Sequence, residues 1–476
     1  MVDRVADFLA GIAEKPVAPG LSPREVRARL GTSDTVPDKG DDPAKIALHA
    51  LNVLTGNSTF NGHPRFFGYI TSSAAPLGAL ADLVAASVNP NCGAWALSPV
   101  ATEIERQSVR WIAELIGYPA ECGGLLVSGG NMANMVCLIA ALRAQAGWDV
   151  RAQGVAANGA SLKIYASAEV HTWLQKGADL AGVGTNAFRS VPVDDMQAMD
   201  VGALARLIEQ DRRAGHQPAV VVGTAGSVST GAVDPLPEIA ELCKREKLWF
   251  HVDGAYGAPA AILPDASPAL KALALGDSVA VDPHKWLYAP IEAGCSLVRD
   301  PEKLRSAYAF QPPYYRFEGD KEDPPTNFFE WGPQNTRGFR ALKVWMTIRQ
   351  VGREGYIRMI SDDIALAREM ADLVSHQSEL ELLTNQLSIT TFRYIPPALR
   401  TRRSDPDVAK QLNQLNGEIL ERLQKSGHVY PSNAVIGGKY AIRACIVNFR
   451  TQSADVKALV DATVAAGRDL GKAAKV

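Results

Sequence analysis

A chain of 476 residues is too long for one small core and calls for a large domain with a smaller one attached. Its 49 basic residues against 51 acidic ones leave a formal charge of −2, which removes any global electrostatic argument for nucleic acid or an anionic membrane; a small molecule is the default partner. The six cysteines form no CxxC pair and no zinc-like His/Cys spacing, so reduced thiols, no metal and a cytoplasmic setting are expected.

The opening MVDRVADFLAGIAEK carries acids inside its apolar pattern and lacks a small-residue cleavage site, unlike a secretory leader. No stretch approaches the roughly 18 uncharged apolar residues of a spanning helix. Residues 1–60 hold helix-like patches separated by PVAPGLSP and TSDTVPDKGDD, the composition of a helical docking arm. Over residues 61–345, short apolar β-branched runs (LKIYAS, AVVVGTAG, LWFHVDGA, SVAVD, GCSLVRD) alternate with helical periods such as PLPEIAELCKREK. That alternation predicts a large α/β domain with a mainly parallel sheet covered by helices on both faces. The segment RALKVWMTIRQVGREGYIRMISDDIALAREMADLV is helical in period and is expected to link the domains. Residues 346–476 then read as a small C-terminal α+β domain, with LELLTNQLSITTFRYI and YAIRACIVNFRT as strands around VAKQLNQLNGEILERLQKSG.

Chemistry concentrates at a few points. In VDPHKWLYAP, Lys285 follows His284 and precedes Trp286, and upstream the buried strand LWFHVDGA ends in Asp253. A buried ammonium is costly unless paired or covalently consumed. A lysine and an upstream carboxylate so placed suit an amine that forms an imine with pyridoxal phosphate and an acid that salt-bridges the pyridine nitrogen, keeping it protonated and a strong electron sink. In LLVSGGNMANMVCLIAALRAQ, glycines between an apolar run and an amphipathic helix leave the amides of Gly130, Asn131 and Met132 for an anion; such glycines are more often ordinary turn residues, and Lys285 downstream makes the phosphate reading the favoured one. His171 lies just past a strand, placed either to stack on a cofactor ring and orient a substrate carboxylate or to cap the following helix, while the neighbouring Trp173 reads as core. The hydroxyl-rich TAGSVSTGAVDP contains Ser227 as a cofactor contact and Asp234 as a helix cap. YAFQPPYYRFEGDKEDPPTNFFEW, without helical or strand period, reads as a lid able to deliver a phenol from Tyr314 or Tyr315 as general acid.

These residues, with HPRFFGYI, WALSPVATEIE, SGGNMAN, HVDGAYG, DPHKWL and FRALKVW, resemble the pyridoxal-phosphate-dependent group II amino acid decarboxylases, and among them the aromatic-L-amino-acid decarboxylase branch. The likeness implies a fold-type-I, aspartate-aminotransferase-like architecture with a mainly parallel seven-stranded sheet, in a homodimer with active sites at the subunit interface. By position it makes Lys285 the imine lysine, Asp253 the pyridinium partner, His171 the ring-stacking histidine, Asn131 and Met132 phosphate ligands, and Tyr315 the acid that protonates the carbanion, with Tyr314 the alternative.

Departures from the family bear on cofactor and substrate. Asp282 stands where animal members have asparagine and would repel a phosphate unless turned away or protonated, Ser227 and Val228 replace a threonine pair and remove one hydroxyl from the cofactor's phenolic oxygen, YITS (Tyr69 to Ser72) replaces YFPT beside the substrate ring, and Asn91 and Gly93 replace bulky apolar residues there. Ser72 and Trp286 are the expected substrate contacts, the latter as a flat apolar wall. The resemblance implies decarboxylation of an L-amino acid, aromatic in side chain, to amine and CO2; an acidic-amino-acid decarboxylase and an oxidative aldehyde synthase are the alternatives.

Overall fold

The computed structural model of the protein describes residues 1–31, 35–157, 159, 161–310 and 324–473. Its contacts separate two units, one of residues 1–73 with 363–476 and one of residues 74–362. In chain order the elements are α1 (Val2–Ala10), α2 (Pro23–Leu30), α3 (Pro43–Asn57), α4 (Pro76–Val88), α5 (Pro99–Leu115), β1 (Gly123–Val127), α6 (Gly130–Gln145), α7 (Val150–Gln153), β2 (Leu162–Ser167), α8 (Trp173–Leu180), β3 (Phe188–Val191), α9 (Val201–Arg213), β4 (Gln217–Thr224), α10 (Leu236–Glu246), β5 (Trp249–Asp253), α11 (Pro268–Lys271), β6 (Ser278–Val281), β7 (Gly294–Val298), α12 (Pro301–Tyr308), α13 (Ala341–His376), β8 (Leu380–Gln386), β9 (Ile389–Tyr394), α14 (Pro406–Lys425), β10 (Ser432–Ile436), β11 (Lys439–Cys445) and α15 (Ser453–Ala473).

The unit of residues 74–362 is built on a seven-stranded sheet of order β1-β7-β6-β5-β4-β2-β3. Strands β3, β2, β4, β5 and β6 run parallel. β7 alone opposes its neighbours β6 and β1. The sheet is thus mainly parallel, as the alternation of strand and helix signals predicts. Strands β1, β2, β5, β6 and β7 are buried at every position, because helices cover both faces, and so they read as unbroken apolar runs.

Helix α6 packs on one face of this sheet. Its Ala133, Val136, Cys137 and Ala140 share a core with Val220 and Val222 of β4, Trp249 of β5 and Ala280 of β6. Side chains alternate along a strand, so the next positions of the same parity toward the strand ends are Thr224, then His251 and Asp253, and, one residue beyond β6, Asp282. The polar groups of the site therefore continue the rows of the apolar core. They lie at the carboxyl ends of the parallel strands, where α/β sheets bind ligands.

Two local expectations differ from the structure. The helical segment after residue 340 is broken at Gly352 (φ 65°, ψ 170°), a conformation open to glycine, so α13 is two helices in series. Asp234 does not cap α10: its carboxylate accepts the backbone N–H groups of Thr224 and Met199, each at 2.8 Å, and ties the end of β4 to the preceding loop. Burial pushes its pKa up to about 6.

The other unit carries a four-stranded antiparallel sheet, β10-β11-β9-β8, with a core drawn from α13, α14, α15, β8, β9 and β11. The N-terminal segment is bonded into it: Val17 N–H donates to Gly427 C=O at 2.8 Å, Phe67 N–H to Tyr430 C=O at 2.9 Å, and Phe66 stacks on Tyr430. Helix α3 buries none of its side chains, and Ile46, Leu48 and Leu54 are exposed. Among the described residues no helix is long and apolar enough to cross a membrane.

Candidate active site

Strand β5 ends in Asp253, which is 7% exposed. Its Oδ2 accepts the indole N–H of Trp173 at 2.7 Å, and its Oδ1 accepts the Ala255 N–H at 3.2 Å. Two residues back on the same face, His251 is fully buried. The Asn134 amide donates to Gly130 C=O at 2.9 Å, which turns its Oδ1 toward His251 Nε2 at 2.7 Å, so Nε2 carries the hydrogen. His251 Nδ1 then accepts from the Ser278 hydroxyl at 2.8 Å, whose oxygen accepts the Trp249 indole N–H at 2.8 Å. Every member of this chain has one assignable role, and the imidazole is neutral: burial lowers its pKa from 6.5 to about 4.

That depression has a measurable consequence. Unfolded chain takes up the proton from about pH 6.5 downward, while the folded protein resists it until about pH 4, so stability is lost as pH falls through that window. The loss assigned to this group is about 3 kcal/mol once both states are protonated. Denaturant midpoints measured from pH 7 to 4 should show it, and His251→Asn should flatten that part of the profile.

Lys285 sits in a turn closed by its own N–H to Asp282 C=O at 2.9 Å. Its side chain is 20% exposed, and Nζ lies 3.0 Å from Asp282 Oδ2. Asp282 is almost fully buried, and its Oδ1 has no hydrogen-bond partner. The departure from asparagine is thus answered in part by the Lys285 ammonium. His284 Nδ1 donates to Ala293 C=O at 2.7 Å, and its Nε2 lies 3.9 Å from Asp282 Oδ2.

The amino end of α6 meets this turn. Gly129 has φ 90°, ψ 178°, which only glycine adopts readily, and a Cβ on Gly130 would come within 2.6 Å of Asp282 Oδ2. The first helical bond is Ala133 N–H to Gly129 C=O, so the N–H groups of Gly130, Asn131 and Met132 precede the ladder, with no side-chain cap.

His171 follows β2, and its Nδ1 accepts the Trp173 N–H at 3.2 Å, which leaves Nε2–H as the donor of the neutral ring. Though the residue is open at its surface, the protein mass behind the ring lowers its pKa; Asp253 opposes that shift and Lys285 adds to it. One ring nitrogen is thus used by the helix start, and Nε2–H is the remaining donor.

Ser227 and Trp286 are engaged within the fold. The Ser227 hydroxyl bonds Thr230 Oγ1 at 2.9 Å within its own turn. Trp286 is fully buried and stacked on Tyr256 with centroids 4.9 Å apart, so it acts on a substrate only through what it packs against. Ser72 is buried in the other unit. Tyr314 and Tyr315 lie outside the described residues. Asn91, read above as a polar intrusion beside the substrate, turns its Oδ1 to the N–H groups of Gly93 and Arg337 at 3.0 and 3.1 Å. A Cβ on Gly93 would lie 2.1 Å from Asn335 O, so close packing explains that glycine.

Four participants were not singled out from the sequence. His251 was within reach, since it shares strand parity with Asp253, and Thr224 opens the hydroxyl-rich TAGSVSTGAVDP and pairs with Asp253 across the sheet. Asn134 and the indole of Trp173 carry no local signal, because their partners are distant in the chain.

The model of the pyridoxal-dependent decarboxylase conserved domain matches residues 23–395. This chain belongs to that family. The decarboxylase is 31% identical over 457 residues to the aromatic-L-amino-acid decarboxylase of Bacillus atrophaeus, covering 96% of this chain and 91% of the relative. It is 28% identical over 454 residues to the phenylacetaldehyde synthase of Petunia hybrida, covering 94% and 88%. Its fold is similar to that of Oryza sativa TDC, crystallised with PLP and tryptamine, with a TM-score of 0.89 at 26% identity over 98% of this chain and 96% of that one. The class and cofactor expected from the lysine motif are those of the family: a carboxy-lyase acting on amino acids with pyridoxal phosphate.

The decarboxylase's own residues fit that cofactor. Thr224 Oγ1, buried beside Asp253 in the sheet register, has no hydrogen-bond partner, and the N–H groups that open α6 carry no side-chain cap, with the Asp282 carboxylate packed beside Gly130.

Proposed function

We propose that this decarboxylase removes CO2 from aromatic L-amino acids, as a cytoplasmic homodimer. The observation that carries the chemistry is the convergence of Lys285, Asp253, His171 and the amino end of α6 at the carboxyl edge of one sheet. When bound, pyridoxal phosphate supplies the electron sink for the pair left behind by CO2. Lys285 provides the amine that tethers it. The Asp253 carboxylate holds a proton on the ring nitrogen, and the amides of Gly130, Asn131 and Met132 hold the phosphate. His171 Nε2–H is placed to orient the substrate's carboxylate, and Tyr315 or Tyr314 returns the proton to Cα.

The aromatic preference is supported by the Bacillus relative and by the engagement of Asn91 Oδ1 with the N–H groups of Gly93 and Arg337. The aldehyde-synthase alternative draws on the Petunia relative. The homodimer is supported by apolar side chains left exposed on α3 and, separately, on α4 at Leu80, Leu83, Val84 and Val88. The free cysteines accord with a reducing compartment.

Turnover of tyrosine, tryptophan, phenylalanine, DOPA, glutamate and aspartate, with CO2, amine, aldehyde and peroxide all quantified, tests the reading. Aromatic substrates should give CO2 and amine in equal amounts, with kcat/KM about a hundredfold above the acidic ones. Preference for glutamate or aspartate, or aldehyde with peroxide as the main products, sinks it.

A further inference from the structure

We propose that Trp173 is a positioning residue for the cofactor, its indole N–H holding Asp253 in the orientation that keeps the ring nitrogen protonated. The proposal deepens the reading of Asp253 given above and rests on it.

Trp173 is 2% exposed and belongs to the core with Leu174 and Ala178, which would be reason enough for a large apolar side chain. Packing alone does not require its polar edge to meet a carboxylate. Yet the indole N–H reaches Asp253 Oδ2 at 2.7 Å, and the residue's backbone N–H reaches His171 Nδ1 at 3.2 Å. One residue therefore bonds both groups expected to act on the ring. The indole is itself held in place: it meets His251 edge to face, with centroids 5.8 Å apart and planes at 85°. His251 is pinned in turn by Asn134 and Ser278. The donor to the carboxylate is thus packed against an imidazole that is itself held by two hydrogen bonds.

A charge-assisted bond from the indole fixes the carboxylate in place. Without it, the carboxylate is free to turn from the ring nitrogen, the ring holds its proton less well and withdraws less electron density, and the cofactor-bound Lys285 nitrogen keeps its proton to higher pH. Oδ2 is occupied by the indole, which leaves Oδ1, bonded only weakly by Ala255 N–H, for the ring nitrogen.

The test is a pH titration of the absorbance of the cofactor bound to Lys285, together with the cofactor dissociation constant. Four proteins are compared: wild type, Trp173→Phe, a protein with benzothienylalanine at position 173, and Asp253→Ala. The benzothienyl ring keeps the indole's size with sulfur in place of N–H, and it decides the question should Trp173→Phe fail to fold. Both Trp173 replacements are expected to raise the absorbance midpoint by about one pH unit and to weaken cofactor binding about tenfold. If the sulfur analogue titrates like wild type, Trp173 only packs and the proposal is overturned, whatever Trp173→Phe does. If Asp253→Ala leaves the midpoint in place, the assignment of Asp253 falls first and the role of Trp173 falls with it.

Discussion

Lys285→Ala is expected to lose the visible absorbance of bound pyridoxal phosphate and to lower kcat by roughly 10^3-fold or more. The alanine cannot tether the cofactor. It also leaves Asp282, buried and already lacking a partner for one oxygen, without the ammonium 3.0 Å from the other. The two effects separate in Lys285→Arg, which keeps a cation beside Asp282 but offers no nucleophilic amine. That variant should recover stability and remain inactive. Absorbance spectra and steady-state CO2 release check the first part, and thermal midpoints check the second. A Lys285→Ala protein with full turnover would reject the site.

Glu105→Ala should destabilise the fold by about 3–5 kcal/mol, because it strands the guanidinium of Arg337 in the interior. Both side chains are 1% exposed. Arg337 also donates to Cys92 C=O at 3.0 Å and Leu126 C=O at 2.7 Å, and Glu105 accepts the Leu126 N–H at 2.9 Å. The pair therefore clamps β1 three residues before Gly129, where the amino end of α6 begins. The unfolding midpoint in urea should fall steeply and cofactor affinity should fall with it. The double variant Glu105→Leu/Arg337→Met, which removes both charges, should regain much of the loss. A Glu105→Ala penalty under about 1 kcal/mol would show that water reaches the guanidinium and that the clamp is not dry.

The parts of this site that were legible in the sequence share a physical cause. Lys285, His284 and Asp282 are near neighbours in one turn, so local spacing reveals them. Asp253 ends an apolar run, and the glycines before α6 announce a helix start with free amides. Strand parity extends that reach from Asp253 to His251, because a period of two needs only one recognised residue to orient the rest. The predicted strands of the large sheet are likewise present, since burial on both faces writes a continuous apolar run into the chain. In the smaller sheet β10, with its alternating burial, carries a weaker signal than an unbroken apolar run.

Contacts between distant segments escaped the reading. Trp173 is apolar by composition and was expected in the core, where it lies; that its nitrogen faces Asp253, eighty residues away, is a property of how α8 is laid on β5. Asn91 and Gly93 looked like changes in substrate preference, whereas in the fold they answer to Arg337 and Asn335, some 240 residues away. The N-terminal segment reads as an arm from its composition, and its bonds to Gly427 and Tyr430 appear only once the chain is folded. By itself, then, the sequence determined the α/β alternation, the reactive lysine and the acid opposite it, because each depends on short-range periodicity or spacing. The tertiary structure alone decided which donor each buried polar atom meets, because a hydrogen bond selects its partner by direction and distance, which linear order does not encode.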